Sequence, residues 1–229
     1  SRGLGDVYKR QINMIENLNT KLDSQENLTD EEMTHAINLM MEGEIEQHLI
    51  EHFLLGLNKK GITVREISSA AKVMREKSLK FDLKDSNIID TCGTGGTGLH
   101  IFNCSTASAI VATAAGAKVS KHGNRGISSK SGSADFLVEA GANINHEREQ
   151  LAEIFNKVGF VFLFAPLNHL SMKHVMPARQ NLATKTIFNL LGPHTNPSNA
   201  KKQIIGVYEK SLVEKFVNVS NSLGMHRVM

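Results

Sequence analysis

The sequence predicts an α/β protein, with a small N-terminal all-helical domain followed by a large α/β domain on a mostly parallel central sheet. Three observations carry that prediction. Residues 12–81 place apolar side chains at helical spacing and contain no strand-like run. From Asn87 onward, short β-branched segments alternate with helical patterns, the mark of βαβ units. The first of those segments runs directly into a glycine-rich turn, Gly93 to Gly98, which is where open parallel sheets hold ligands.

Taken in order, the first eleven residues, SRGLGDVYKRQ, match nothing downstream. They resemble a translated cloning or sequencing adapter and are set aside from the fold. In the helical domain, residues 12–81, Thr29 and Glu32 have the spacing of a capping box, with Met33, Ile37 and Met40 on one face behind it. Ile45, Leu49, Phe53 and Leu57 form a second stripe, which Ile50 and Leu54 widen. Residues 12–81 are expected to carry a homodimer contact, because these stripes exceed what one face of a small domain needs, with core packing as the alternative reading. Gly61 breaks the chain, and Thr63 with Glu66 repeats the capping spacing ahead of Ile67, Ala70, Ala71 and Met74.

Residues 82–229 form the α/β domain. Its expected strands are Ile88–Thr91, Lys118–Lys121, Phe160–Phe164 and Gln203–Val207, with a last one beginning at His226. Helices are expected over Ala107–Ala115, Ala134–Ala140, Arg148–Val158 and Leu212–Leu223. The glycine loop, Lys121 to Arg125 and Ala165 to His169 all follow strands, so they converge on one sheet edge.

The glycine loop lets backbone N–H groups approach a ligand, and the helix starting near Ser105 adds unpaired N–H groups and a positive dipole end. Together these make a phosphate cradle. Charge agrees with this reading. From Thr91 through Ala134 there is no Asp or Glu, while Lys118, Lys121, Arg125 and Lys130 all fall inside. Gly93, Gly95 and Gly98 also fit GxGxxG, so a dinucleotide site is a rival. That rival needs an acid at the end of the second strand, where Lys121 and His122 stand. A P-loop lysine is absent.

Composition bounds the alternatives. At 229 residues and 41% hydrophobic content, the chain can bury a core for one large or two modest domains. A net charge of +3 does not point to nucleic acid. Cys92 and Cys104 have neither zinc-site spacing nor a disulfide framework and fit a reducing, cytoplasmic setting. No apolar run reaches membrane-spanning length, so no membrane partner is expected.

Several strings occur in order: GTGG at 93–96, Phe102-Asn103 with Ser105-Thr106, KHGNR at 121–125, and SSKSGSAD at 128–135. MKHV with Pro177 and Arg179, TIFNLLGP at 186–193 and TNP at 195–197 complete the series. Together they resemble the anthranilate phosphoribosyltransferase family, whose fold is shared with pyrimidine nucleoside phosphorylases. The resemblance covers nearly everything from Thr29 to the last residue. It implies transfer of the phosphoribosyl group of 5-phosphoribosyl 1-diphosphate to anthranilate, with release of diphosphate, in tryptophan biosynthesis.

By the same resemblance, Gly93, Gly95, Gly96, Thr97, Asn103, Ser105, Thr106, Lys121 and Ser133 would hold the sugar diphosphate. Gly93, His122, Asn124, His169, Arg179, Gly192 and Pro193 would hold anthranilate, and no catalytic acid or base is assigned. Ser105 would touch Mg²⁺, and the small domain would form a homodimer. Thr97 stands where the family usually has Asp. His100-Ile101, Cys104 and Leu170-Ser171 also depart from its pattern. In the family, a strand continuing from His226 through Met229 leads to an Asp-Glu pair that binds Mg²⁺. That acidic pair is expected beyond Met229, where the sequence stops. The sequence is therefore read as a C-terminally truncated fragment with an incomplete sheet and little activity of its own. A nucleoside phosphorylase and a nucleic-acid-binding paralogue are the alternatives. The strings TIFNLLGP and KHGNR, with Arg179, favour the transferase.

Overall fold

The computed structural model describes residues 2–98, 102–126 and 131–229, with side chains from residue 9 onward. His100, Ile101, Ser128, Ser129 and Lys130, all named above, lie outside the described residues. In chain order the helices are α1 (Arg2–Asp23), α2 (Asp30–Glu42), α3 (Gln47–Lys60), α4 (Val64–Lys77), α5 (Cys104–Ala114) and α6 (Ser133–Glu139). They continue with α7 (Arg148–Val158), α8 (Ala165–Asn168), α9 (Met176–Leu182), α10 (Phe188–Leu191) and α11 (Leu212–Ser222). The strands are β1 (Ile89–Asp90), β2 (Val119–Gly123), β3 (Phe160–Phe164), β4 (Lys202–Gln203) and β5 (Arg227–Val228). None of the described helices is long and apolar enough to cross a membrane.

The chain divides into two compact units. One takes residues 1–77 together with 170–190, and the other takes 78–169 together with 191–229. The boundary expected at residue 81 therefore moves slightly, and a distant segment joins the helical unit. Hydrogen bonds explain why. Gln47 donates to the His174 carbonyl at 3.0 Å and accepts from the Ala178 N–H at 3.1 Å, while Asn181 donates to Glu51 at 2.9 Å. Gly43 ends α2 with φ 78°, and a Cβ there would collide with the His174 ring, so glycine serves both the turn and the close approach.

Both capping boxes form. The Thr29 hydroxyl accepts from the Glu32 N–H at 3.2 Å, and Thr29 N–H donates back to Glu32 at 2.9 Å. Thr63 and Glu66 make the same exchange at 3.2 and 2.8 Å ahead of α4. Helix α1 extends back through the segment set aside as foreign, and the Gln11 side chain bonds Glu44. Core packing, the alternative reading of the stripe, accounts for these residues. Ile45 precedes α3 rather than lying on it, and Ile45, Leu49, Phe53 and Leu57 are all buried inside this unit. Gly56 belongs to the same packing, because a Cβ there would stand 2.9 Å from Leu22 on α1.

In the second unit the described strands form one sheet in the order β3-β2-β1-β4-β5, every pair parallel. Phe81, Leu83, Ile88, Phe155, Val161 and Leu163 form one core cluster, and Ala134, Leu137, Ile144 and Phe162 form another. The strand expected from His226 is the short β5, and its pairing with β4 runs on into Met229. The Met229 N–H donates to the Gln203 carbonyl at 3.0 Å, and its own carbonyl accepts from the Ile205 N–H at 2.8 Å. Because all strands run one way, their carboxyl ends share an edge. The chain leaves β1 toward β2 on one side, while β4 lies on the other. The loop after β1 therefore sits where the winding reverses, the usual ligand crevice of such sheets.

Candidate functional site

The loop at that crevice is shaped by glycine. Gly95, Gly96 and Gly98 have φ of 63°, 69° and 70°, a left-handed run that side chains resist. At Gly93 a Cβ would stand 2.7 Å from the Gly206 carbonyl oxygen. That approach lets the Thr94 N–H donate to Gly206 at 2.9 Å, with Tyr208 N–H donating to the Thr94 hydroxyl at 3.0 Å. The β1 loop is thus pinned to the chain after β4, and Gly95, Thr97 and Gly98 are left exposed.

Helix α5 begins one residue earlier than expected, at Cys104. Asn103 caps it, its Oδ1 accepting from the Thr106 N–H at 3.3 Å and from the Ser105 hydroxyl at 3.4 Å. Ser105 is exposed, whereas the buried Thr106 hydroxyl has no protein partner. Thr91 ties this helix to the sheet by donating to the Ser105 carbonyl at 2.7 Å.

Lys121 is almost fully buried, and its Nζ donates to the Thr91 hydroxyl at 3.1 Å and to the Thr91 carbonyl at 3.4 Å. Its charge thus stands beside the first turn of α5. Next along β2, His122 is buried with its Nδ1 3.2 Å from the Gly192 carbonyl and its Nε2 3.2 Å from Nε2 of His169. The two rings lie 5.1 Å apart at 59°. Burial, then the neighbouring imidazole, pushes His122 down to about 3, and burial pushes His169 down to about 4. Both rings are therefore neutral near pH 7 and add no charge to the pocket wall.

That arrangement makes acid sensitivity a testable property. An imidazole disfavoured as a cation in the fold stabilises fully above its unfolded value of about 6.5, and the contribution is lost as pH falls through the folded values. Unfolding free energy should drop between about pH 6.5 and 4, and the drop should shrink in His122→Asn/His169→Asn. Imidazole NMR resonances that titrate near 6.5 would refute the assignment.

Two residues at this site escaped the sequence reading, Asp90 and Asp135. They bracket the acid-free stretch, and each carboxylate is consumed by donors. Asp90 is fully buried and accepts from His122 N–H at 3.2 Å, Asn196 Nδ2 at 2.8 Å and Gln203 Nε2 at 3.4 Å. Burial pushes its carboxyl up, against the nearby Lys121 charge and the Asn196 and His122 donors. Asp135 accepts from the Gly126 and Gly132 N–H groups, both at 2.8 Å, and from Arg125 at 3.0 Å. Burial pushes this carboxyl up too, but those donors outweigh it and hold it below the usual range. The signal available in sequence was position, because these two acids flank the cationic stretch on either side.

Of the residues expected to hold the sugar diphosphate, the structure places Gly93, Gly95, Gly96 and Thr97 on the β1 loop and Asn103, Ser105 and Thr106 at the start of α5. Lys121 lies on β2 and Ser133 at the start of α6, with its hydroxyl donating to the Asn124 carbonyl at 3.3 Å. His122 contacts both His169 and Gly192, and the Pro193 carbonyl accepts from Gln203 at 2.7 Å. Arg179 belongs to the helical unit, on α9. Its guanidinium lies 5.6 Å from the Phe188 ring centre and donates to the Met176 sulfur at 3.7 Å, with no acidic partner among the described residues.

The metal expectation rests on Ser105 and on an acidic pair beyond Met229. No group of three or more His, Cys, Asp or Glu side chains suited to a metal ion occurs among the described residues. Met229, beyond which the acidic pair was expected, offers no ligand in its place. Its side chain is exposed, and its backbone N–H and carbonyl are both taken by the chain at β4. Ser105 is thus left as the only residue here named for the ion, and a lone hydroxyl does not make a magnesium site.

Comparison with known proteins places the chain among glycosyl transferases. Residues 85–229 match the model described as the glycosyl transferase family, a/b domain, and residues 15–78 match its helical bundle domain. The chain is 47% identical over 215 residues to anthranilate phosphoribosyltransferase of Persephonella marina, covering 93% of this chain and 63% of the relative. It is also 47% identical over 210 residues to that of Hydrogenovibrio crunogenus, covering 91% and 62%. Among solved structures, anthranilate phosphoribosyltransferase from Thermus thermophilus superposes with a TM-score of 0.85 at 36% identity, over 90% of this chain and 63% of that one. The Saccharomyces cerevisiae enzyme in complex with PRPP and Mg gives 0.85 at 29% identity, over 93% and 64%. The chain thus spans less than two thirds of the length of the curated relatives it matches.

Proposed function

We propose that this chain, which belongs to the glycosyl transferase family, takes part in transferring the phosphoribosyl group of 5-phosphoribosyl 1-diphosphate to anthranilate. In that reaction the C1–O bond to diphosphate breaks and a bond from C1 to the anthranilate nitrogen forms, the amine losing a proton. The observation that carries the reading is the crevice after β1, where left-handed glycines, the start of α5 and the buried Lys121 come together while both flanking carboxylates are consumed by donors. Such a site suits a departing polyanion, whose charge develops as the bond breaks.

The dinucleotide rival is weaker, because the ribose-binding position at the end of β2 holds Lys121 and His122 rather than an acid. For anthranilate, the neutral His122 and His169 rings and the Gly192 carbonyl provide an uncharged wall. The Arg179 guanidinium is the donor that the family resemblance offers for its carboxylate. An aromatic amine is uncharged at neutral pH, so positioning suffices and no strong base is needed. Magnesium, present in the similar yeast structure, would neutralise phosphate charge, with Ser105 as the candidate protein contact. The described residues do not supply a carboxylate cluster for it, so they do not build a magnesium site by themselves. A homodimer follows from the family resemblance, and a cytoplasmic setting from the two cysteines, Cys92 and Cys104, which form no disulfide framework.

Calorimetric titration of the chain with 5-phosphoribosyl 1-diphosphate and Mg²⁺, and fluorescence titration with anthranilate, test the reading directly. Both ligands should saturate, and Ser105→Ala should weaken the sugar diphosphate in preference to anthranilate. Saturation by neither would overturn the proposal.

A further inference from the structure

We propose that Asp135 is a positioning residue that ties Asn124 to Ser133, so that the acceptor-binding and diphosphate-binding residues are held as one piece. The inference rests on the ligand roles given to those two residues above, and it deepens that reading by naming what couples the two substrates. One carboxylate oxygen, Oδ2, takes the N–H of Gly126 and the N–H of Gly132, both at 2.8 Å, so a single atom joins these two positions. The other, Oδ1, takes the Arg125 guanidinium at 3.0 Å. Arg125 in turn lies 6.0 Å from the Phe164 ring centre at the end of β3, which ties the clamp to the sheet.

The substrate residues sit at the two ends of this clamp. The Asn124 carbonyl accepts from the Ala134 N–H at 3.1 Å and from the Ser133 hydroxyl at 3.3 Å, and its side-chain oxygen accepts from the Arg125 N–H at 2.8 Å. The closure is also sterically tight, since a Cβ on Gly132 would stand 2.5 Å from the Asn124 carbonyl oxygen. A carboxylate is the side chain this spot needs, because it offers two acceptor oxygens to three donors. In Asp135→Asn one acceptor becomes an NH₂ that must face a donor whichever way the amide turns.

A helix cap alone would stabilise α6 without coupling ligands, so the test needs a readout that a cap does not move. Anthranilate affinity should be measured by its own fluorescence, with and without 5-phosphoribosyl 1-diphosphate and Mg²⁺, for wild type and Asp135→Asn. Amide exchange at Gly126 and Gly132 should be followed in parallel. Exchange at both should rise by about tenfold or more, as one lost charge-assisted hydrogen bond implies. The enhancement of anthranilate affinity by the sugar diphosphate should fall by about tenfold.

Unchanged coupling in a folded Asp135→Asn overturns the clamp while leaving the phosphoribosyl reading intact. A wild-type chain that binds neither ligand overturns that reading and, with it, the roles of Asn124 and Ser133. If Asp135→Asn does not fold, Arg125→Gln spares both glycine hydrogen bonds and should give an intermediate loss of coupling. No loss there refutes the proposal.

Discussion

Glu66→Ala should cost the helical unit about 3–5 kcal/mol, the usual result of stripping one partner from a buried ion pair. Glu66 is wholly buried, with Lys60 Nζ at 2.9 Å and a Lys60 side chain that is itself 3% exposed. The same carboxylate accepts from Leu28 N–H at 3.0 Å, from Thr63 N–H at 2.8 Å and from the Thr63 hydroxyl at 2.9 Å. Alanine leaves two backbone donors without their acceptor and strips the Lys60 ammonium of its counter-charge, leaving it only the neutral Asn27 Oδ1 and Gly61 carbonyl, each at 3.0 Å, which is a larger loss than the pair's own net worth. Burial pushes the Glu66 carboxyl up, but the Thr63 and Leu28 N–H groups and Lys60 outweigh it, and the carboxyl lies below its ordinary value of 4.5. Its contribution is therefore complete above about pH 4.5 and is lost as pH falls through the folded value. Urea unfolding followed by the helical circular dichroism signal reads both effects. A loss under about 1 kcal/mol at pH 7 would mean that water reaches the pair.

Glu66 also marks what was legible in the sequence. Its role as a cap was, because Thr63 and Glu66 are three residues apart and the geometry of a helix start is local. Thr29 and Glu32 were legible for the same reason, and so were β3 and α7, where apolar spacing alone sets the element. The hydrogen bond from Leu28 to Glu66 was not, since nothing local links residues 38 apart. Segment 170–190 shows the same limit on a larger scale. Its motif placed it with the α/β portion, but Gln47, reaching His174 and Ala178 across about 130 positions, assigns it to the helical unit. At the site, the glycine loop, Lys121 and His122 could be read from residue type and strand-end position. Asp90 was marked only by its position at the edge of the acid-free stretch, and its role was not legible, because its partners Asn196 and Gln203 lie more than a hundred residues away. The apolar stripe on α3 was ambiguous for another reason. Periodicity shows that a face is buried but not what buries it, and here the unit's own helices do so.

Arg179→Ala should weaken anthranilate about thirty- to a hundredfold while changing 5-phosphoribosyl 1-diphosphate affinity little, the loss of about 2–3 kcal/mol expected for a charge-assisted bidentate contact. The structural premise is a half-buried guanidinium on α9 whose neighbours are a Phe188 ring and a Met176 sulfur rather than a carboxylate. Burial pulls its pKa below the ordinary guanidinium value, but a guanidinium remains charged at neutral pH, so the helical unit keeps a half-buried cation with no acid beside it among the described residues. Such a cation costs stability unless an anion answers it, and the removal of a purely structural arginine would be felt in folding first. The ligand-binding role predicts the opposite order: unfolding free energy unchanged within about 0.5 kcal/mol, or slightly raised, with anthranilate affinity lost. Arg179→Lys should restore only part of that affinity, because an ammonium cannot present the planar fork that meets both oxygens of a carboxylate. Aniline sharpens the test, because it lacks the carboxylate and should bind wild type and Arg179→Ala alike. Equal anthranilate affinity in the two proteins would remove Arg179 from the acceptor pocket and leave the carboxylate to another donor.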